Sequence, residues 1–220
     1  MSERGAVRGA WAIPPATIRW LKPLVFVLCL LPVFKRIAGA FGLAGLSLGA
    51  NPVEALIHGC GLWGLNFLLI TLSVTPLRAL TGWAWLVRWR RMFGLLAFFY
   101  IVLHFLLYTG LDQRFDLRVI GEDIVKRPFI TIGITALILL IPLAATSTSG
   151  MMRRMGRRWA QLHRLVYLVA ILGVWHFYWQ VKLDTLQPII YAALLAVLLG
   201  YRLWAAWRRR RGASARARGY

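Results

Sequence analysis

Long apolar runs separated by short polar segments dominate the pattern along the chain. A bilayer hydrocarbon core of roughly 30 Å needs about 20 helical residues at about 1.5 Å each, and six runs approach this length. The predicted spans cover residues 20–34, 56–75, 93–111, 128–146, 161–179 and 187–204. The pattern therefore predicts an all-α, polytopic membrane protein, built as a bundle of six transmembrane helices.

The first apolar run raises the question of where its helix ends. It contains Pro32 and leads directly into Lys35 and Arg36. Long basic side chains near the end of a span can reach the interface while the helix continues. The sequence is compatible with a helix that stops near residue 34 and with one that continues into the glycine-rich stretch that follows.

Composition supports a membrane protein, and the charge distribution gives its orientation. Apolar residues make up 60% of the 220-residue chain, and the mean hydropathy is +0.65, too apolar for a soluble domain of this size. The net charge of +20 would ordinarily suggest nucleic acid, but 20 of the 27 basic residues fall on one side of the predicted bundle. The other side has six of the seven acids and the remaining basic residues, Lys35, Arg36, Arg114, Arg118, Lys126, Arg127 and Lys182. By the positive-inside rule both termini are cytoplasmic, and no nucleic-acid partner is expected.

The chain is predicted to contain one folded domain. Residues 1–19 form a cytoplasmic N-terminal segment, 20–204 the six-helix membrane domain, and 205–220 a basic cytoplasmic tail expected to be disordered. No cleavable signal peptide, nucleotide-binding motif or internal repeat is evident. Cys29 and Cys60 lie on different spans without C-x-x-C spacing, which favours packing over a disulfide or metal site.

Three histidines lie inside predicted spans. These are His104 in the third span and both His163 and His176 in the fifth. Polar nitrogens without partners are costly in hydrocarbon, so intramembrane histidines indicate function by default. Transporters and proton pumps usually combine histidines with buried carboxylates, and here Glu54 is the only acid near a span end. Neutral imidazoles in an apolar, aromatic environment suit heme iron, which predicts a b-type cytochrome.

Helix geometry selects a pair of axial ligands. His104 lies roughly 16 Å from the cytoplasmic end of its span and His176 roughly 22 Å from that of its own, whereas His163 is only about 3 Å in. His104 and His176 are the better match in depth. The sequence therefore predicts a bis-histidine heme between the third and fifth spans, toward the periplasmic half.

The roles of His163 and His58 remain open. On a straight helix His163 and His176 would be about 140° apart around the axis, so they do not share a face. His163 is an inner heme ligand if Gly173 permits a local twist, a contact of quinone or flavin, or an interfacial residue beside Arg164. His58 lies at the start of the second span, where it is an interfacial residue, an alternative ligand or a residue that orients a ligand.

Two predicted cytoplasmic loops are rich in arginine. Residues 76–91 interleave tryptophans with arginines, which suits a segment on the inner leaflet. The loop "TSTSGMMRRMGRRWAQ" has two arginine pairs that could hold anionic lipid headgroups or the phosphate of a nucleotide or flavin. Membrane lipids are therefore expected partners.

Three segments together resemble one known family. They are "RRMFGLLAFFYIVLHFLLY", "LGANPVEALIHGCG" and "KRPFITIGITALILLIPLAATSTSGMMRRMGRRWAQLHRLVYLVAILGVWHFYW". The chain resembles the MsrQ (YedZ) family, the heme-binding membrane subunits of the bacterial periplasmic methionine sulfoxide reductase system, over about residues 20–204. It is more distantly similar to ferric reductase and NADPH oxidase transmembrane domains. The segment with Lys35 and Arg36 and the arginine-rich tail depart from the family pattern.

The resemblance implies an electron-transfer subunit in the bacterial inner membrane. Such a subunit takes electrons from quinol and passes them to MsrP, a periplasmic molybdopterin enzyme that forms a heterodimer with it and itself reduces methionine sulfoxide. The implied cofactors are heme b, one or two per chain, and FMN. His104, His163 and His176 carry over as heme-ligand candidates, and Arg90 and Arg91 as a basic pair for FMN or lipid phosphate.

Two alternatives remain. One is a ferric reductase-type electron carrier fed by a cytoplasmic flavoprotein, although the chain has no fused flavin or nicotinamide domain. The other is a heme-free transporter or assembly factor that uses its histidines for protons or metal. A purified protein without a Soret absorbance band would favour the latter.

Overall fold

The computed structural model describes residues 13–181 and 185–217. Lys182 and Asp184 of the last predicted outer loop, and residues 1–12 of the predicted N-terminal segment, lie outside this range. The described helices are α1 (Pro15–Ala40), α2 (Pro52–Thr81), α3 (Val87–Leu107), α4 (Leu117–Lys126), α5 (Pro128–Ala145), α6 (Ser149–Met155), α7 (Arg157–Leu162), α8 (Leu165–Gln180) and α9 (Leu186–Ala217). The described residues contain no strand.

Six stretches are long and apolar enough to cross a bilayer. They are Ala16–Ala40, Pro52–Thr81, Ala84–Asp112, Pro128–Ala145, Arg157–Gln180 and Leu186–Arg211. Five of them contain a predicted span and the fourth ends one residue before its predicted span does, so the predicted bundle of six membrane helices is confirmed. We call the end where α2 and α5 finish and α3 and α8 begin the basic end, and the other the acidic end.

The core is formed by two antiparallel helix pairs, α2 with α3 and α5 with α8. Cys60, Leu72, Ala97 and Ala170 are fully buried at 0% exposure. Small residues permit the close approach, because a Cβ at Gly64 would lie 2.6 Å from Ile101 Cγ1. The outer helices α1 and α9 leave most of their apolar side chains exposed, as expected for lipid-facing helices.

Helix α1 continues past the two basic residues that follow its apolar run. The longer of the two sequence alternatives is therefore the one observed. The Arg36 guanidinium packs against α2, where its Nη1 donates to the Ala55 carbonyl at 3.0 Å. A Cβ at Gly59 would lie 2.0 Å from Arg36 Cζ, so only glycine leaves room for this side chain.

The acidic end is closed by the amphipathic helix α4. Asp123 is buried, accepts a hydrogen bond from the Tyr108 hydroxyl at 2.9 Å and pairs with Arg127 Nε at 3.1 Å. These contacts fix α4 to the end of α3. On the exposed face, the Lys126 ammonium holds the pKa of the Glu122 carboxyl below its usual value.

At the basic end, α6 and α7 are separated by Gly156, whose φ of +51° favours glycine. Helix α9 extends beyond residue 204, where the predicted span ended. Its backbone is helical as far as Ala217, so much of the segment expected to be a disordered tail continues the last helix.

Candidate functional site

His104 and His176 face each other between the two core helix pairs. Their ring centroids are 6.1 Å apart and their planes are inclined at 78°. Each Nδ1 contacts a backbone carbonyl, at 2.8 Å for Ile57 on α2 and 2.7 Å for Phe129 on α5. Because a carbonyl only accepts, each Nδ1 carries the proton, and each Nε2 retains a lone pair for a ligand.

Glycines on the neighbouring helices make these contacts possible. Gly61 follows Ile57 by four residues and Gly133 follows Phe129 by four, one helical turn farther along the same face. A Cβ would lie 3.0 Å from His104 Nδ1 at Gly61 and 2.8 Å from His176 Nδ1 at Gly133. Any larger residue would push the imidazole away from its carbonyl.

The two halves of this site repeat each other. Each histidine is 47 residues from its carbonyl partner, and a shift of 72 residues maps His104 onto His176 and Gly61 onto Gly133. The likeness lies in spacing and contacts rather than in identical residues. The same shift maps Arg91 onto His163, so the repeat is not symmetric at the basic end.

The separation of the two rings suits a metal ion bound between them. A metal-bound imidazole nitrogen lies at about 2.0–2.1 Å and its ring centroid roughly 1.1 Å behind it, which places the centroids of two opposed ligands about 6.3 Å apart. The observed value is 6.1 Å. No group of three or more His, Cys, Asp or Glu side chains that could hold a metal ion occurs among the described residues. The protein thus offers two imidazole nitrogens, and a macrocycle would have to supply the other ligands.

His163 lies apart from this pair. Its ring stacks on Trp159 with centroids 3.9 Å apart, and Nδ1 contacts the Trp159 carbonyl at 3.1 Å. The remaining Nε2 is 3.5 Å from Ser147 Oγ. His163 sits in the break between α7 and α8, so the 140° angle estimated for a straight helix does not describe it.

His58 lies on the acidic side of the histidine pair. Its Nε2 contacts the Gln180 side chain and lies 3.9 Å from Glu54 Oε1. Its side chain is 47% exposed. These contacts favour a residue that lies beside the histidine pair over a third metal ligand.

The predicted basic pair lies at the basic end. Arg91 Nη1 is 3.5 Å from Ser149 Oγ, and Arg90 interacts electrostatically with His163 and Arg202. Met151, Met155 and three further arginines line an open cleft of about 520 Å³ nearby, namely Arg154, Arg157 and Arg158.

Sequence reasoning missed Gly61, Gly133 and Arg202. The glycines could have been found from the 72-residue shift, which relates the two glycines as it relates the two histidines. Arg202 was one of the 20 basic residues counted on the cytoplasmic side, whereas its side chain donates to the Leu72 carbonyl of α2.

Comparison with known proteins identifies the family. A family model described as "Ferric reductase like transmembrane component" matches residues 59–174, a range that includes His104 and His163 and ends two residues before His176. A protein of Azospira oryzae is 54% identical over 86% of this chain and 81% of its own length. One of Rhodospirillum rubrum is 55% identical over 87% of this chain and 91% of its own. Both are named protein-methionine-sulfoxide reductase heme-binding subunit MsrQ.

Proposed function

The chain belongs to the MsrQ family of ferric reductase-like transmembrane proteins, and from this premise we propose that it is a b-type cytochrome subunit. In this proposal it passes electrons from quinol to a periplasmic molybdopterin methionine sulfoxide reductase, MsrP. The opposed imidazoles of His104 and His176, with centroids 6.1 Å apart, carry the proposal. Heme b bound there would supply one-electron redox chemistry.

Individual residues have defined roles around the proposed heme. His104 and His176 provide the axial nitrogens, and the carbonyls of Ile57 and Phe129 fix the tautomer and orientation of both rings. Donation from Nδ1 makes each imidazole more basic and a stronger ligand. The fully buried Ala97 and Ala170, on the two histidine-bearing helices, belong to the apolar core of the bundle.

Electron and proton balance is satisfied by the proposed partners. Quinol gives two electrons and two protons on oxidation to quinone. Methionine sulfoxide takes up two electrons and two protons to give methionine and water, on the partner chain. The role of this subunit is therefore electron transfer, in support of the repair of oxidised periplasmic proteins.

The proposed orientation places the basic end in the cytoplasm of a bacterium, across its inner membrane. Asymmetry of charge supports it, since all five acids among the described residues belong to segments at the acidic end. The acidic end then faces the periplasm, where MsrP would dock. FMN, through its phosphate, and anionic lipids are proposed at the basic end, where Arg90, Arg91 and the arginine-lined cleft provide positive charge.

Heme content of purified variants tests the proposal. We expect His104→Ala and His176→Ala to abolish the low-spin heme spectrum, because each removes one axial nitrogen. His58→Ala is the matched control, and we expect it to retain heme. His163→Ala tests the inner site, and loss of less than all of the heme would indicate a second heme at that position.

Three results would each contradict a part of the proposal. Full heme content in His176→Ala together with complete loss in His163→Ala would show that the axial pair is wrong. Absence of a Soret band in the wild-type protein, expressed with ample heme, would favour a heme-free transporter or assembly factor. Reduction by a soluble flavoprotein but not by quinol would favour a ferric reductase-type carrier.

A further inference from the structure

Arg202 of α9 reaches into the basic half of the bundle and is anchored by a proline on α2. Pro76 has no backbone N–H, so the carbonyl of Leu72, four residues earlier, lacks its helical donor. Arg202 Nη2 donates to this carbonyl at 2.5 Å. The guanidinium also lies over the Tyr167 ring at 5.2 Å from its centroid. The sequence therefore builds a fixed position for this arginine.

A second nitrogen of the Arg202 guanidinium lacks an acceptor. Arg202 Nε is buried and has no hydrogen-bond partner in the part of the chain that the structure describes. Trp89 Nε1, next to Arg90 at the same end, is also buried without an acceptor, and Trp89 is only 7% exposed. Buried donors without partners are rare and costly, and their presence here indicates a ligand with acceptor oxygens.

The surroundings offer no anion of the protein's own. Arg90, Arg202 and His163 all belong to segments at the basic end, so positive and donor groups lie at the same end of the bundle. The five acids within residues 13–181 and 185–217 all belong to segments at the acidic end. The buried Nε of Arg202 therefore requires an acceptor from elsewhere.

Position relative to the bilayer bears on the kind of ligand. Leu72 precedes the end of α2 at Thr81 by nine residues and the end of the predicted span at residue 75 by three, so its carbonyl lies about 5 Å inside that span. A ligand that reaches this position from the apolar part of the bilayer carries its polar oxygens on a membrane-soluble body, and a lipid phosphate at the interface is the competing ligand. A quinone head group meets this requirement with two oxygens on a flat ring.

We propose that Arg202 and Tyr167, flanked by Arg90 and His163, form the binding site for the head group of a membrane quinone. Arg202 Nε donates to one ring oxygen, while Nη2 keeps the guanidinium anchored to α2. This inference rests on the proposed function, in which quinol is the electron donor, and assigns that donor a place. It also gives His163 a position beside the quinone site.

Quinol titration of the heme-loaded, full-length protein in phosphatidylcholine nanodiscs tests the site. The probe is a reduced ubiquinone analogue with a ten-carbon tail, and heme reduction is followed by absorbance. For Arg202→Gln we expect the half-saturating quinol concentration to rise about tenfold or more, because a hydrogen bond from a charged donor is lost. The spectrum after dithionite should be unchanged, since the heme ligands are untouched.

A matched control lies on the same helix. Arg208 is exposed and stacks over Trp204 at 4.8 Å, so Arg208→Gln removes the same charge from α9 and should leave the titration unchanged. Binding of the oxidised analogue, measured by quenching of tryptophan fluorescence, should weaken by the same factor in Arg202→Gln. Arg202→Lys retains charge but not the planar fork, and should also weaken binding while preserving the fold.

The outcomes separate this site from the proposed function. If quinol does not reduce wild-type heme while dithionite does, the proposed donor is wrong. If quinol reduces wild type and Arg202→Gln with equal half-saturation, the donor stands and the site is overturned. If Arg202→Gln instead loses a bound phospholipid in native mass spectrometry, with quinone affinity unchanged, the ligand is a lipid phosphate and the site is again overturned.

Discussion

Substitution of Gly133 by alanine isolates the contact that holds His176. The new Cβ would lie 2.8 Å from His176 Nδ1, whereas ordinary contacts begin at 3.4 Å. The ring must therefore retreat by the difference, about 0.6 Å, which stretches its 2.7 Å contact with the Phe129 carbonyl to about 3.3 Å. That distance is the limit of a useful hydrogen bond.

Loss of this contact weakens His176 as the proposed metal ligand without removing it. Because donation from Nδ1 increases the basicity of the imidazole, a weaker contact gives a weaker ligand, and we expect heme affinity to fall by about 10- to 100-fold. The midpoint potential should rise, since a less basic ligand stabilises the ferric state less. Gly61→Ala should act in the same direction but less strongly, because its Cβ would lie 3.0 Å from His104 Nδ1.

Heme retention during gel filtration and a redox titration measure both effects. Gly173→Ala is the matched control, because Gly173 lies on the same helix as His176 and its Cβ would meet only Leu65 Cδ1, at 3.6 Å. We expect Gly173→Ala to bind heme as wild type does. Wild-type affinity and potential in Gly133→Ala would show that the carbonyl contact does not tune this ligand, and would refute the reasoning.

Two further substitutions test contacts away from the histidine pair. Pro76→Ala restores a helical donor to the carbonyl that Arg202 uses, so we expect a more stable α2 in thermal unfolding but weaker quinone binding; unchanged quinone affinity would argue against anchoring by this carbonyl. Tyr108→Phe leaves the buried Asp123 with one donor fewer and should lower stability in detergent by about 1–3 kcal/mol. An unchanged melting temperature would show that water replaces the phenol.

The bundle and the histidine pair could be predicted because both depend on properties that single residues carry. Apolar runs fix the spans, and a rise of 1.5 Å per residue fixes depth, so His104 and His176 could be matched without knowledge of packing. The continuation of α1 could not be decided, because it depends on Gly59 of another helix receiving Arg36. Contacts between helices are not encoded in the periodicity of either helix alone.

The same limit explains the errors at the basic end. The angle between His163 and His176 assumed one straight helix, whereas α7 and α8 are separate. His163 is positioned by Trp159, and Trp159 in turn donates from Nε1 to the Thr146 carbonyl at 3.0 Å. Arg202 was counted with the basic residues of the cytoplasmic side, since it lies near the end of the last predicted span. Its actual position follows from a carbonyl freed by a proline on another helix.

The broken repeat connects the histidine pair with the quinone proposal. At the acidic end the 72-residue shift relates two equivalent histidines, each held by a carbonyl and spaced by a glycine, which suits a ligand bound symmetrically between them. At the basic end the same shift pairs His163 with Arg91, and Arg90 and Arg202 add further donors. A site with one imidazole and several guanidinium groups favours acceptor oxygens over a second bis-histidine metal. The two ends of the bundle thus differ in chemistry, as the proposed transfer of electrons from an organic donor to a metal centre requires.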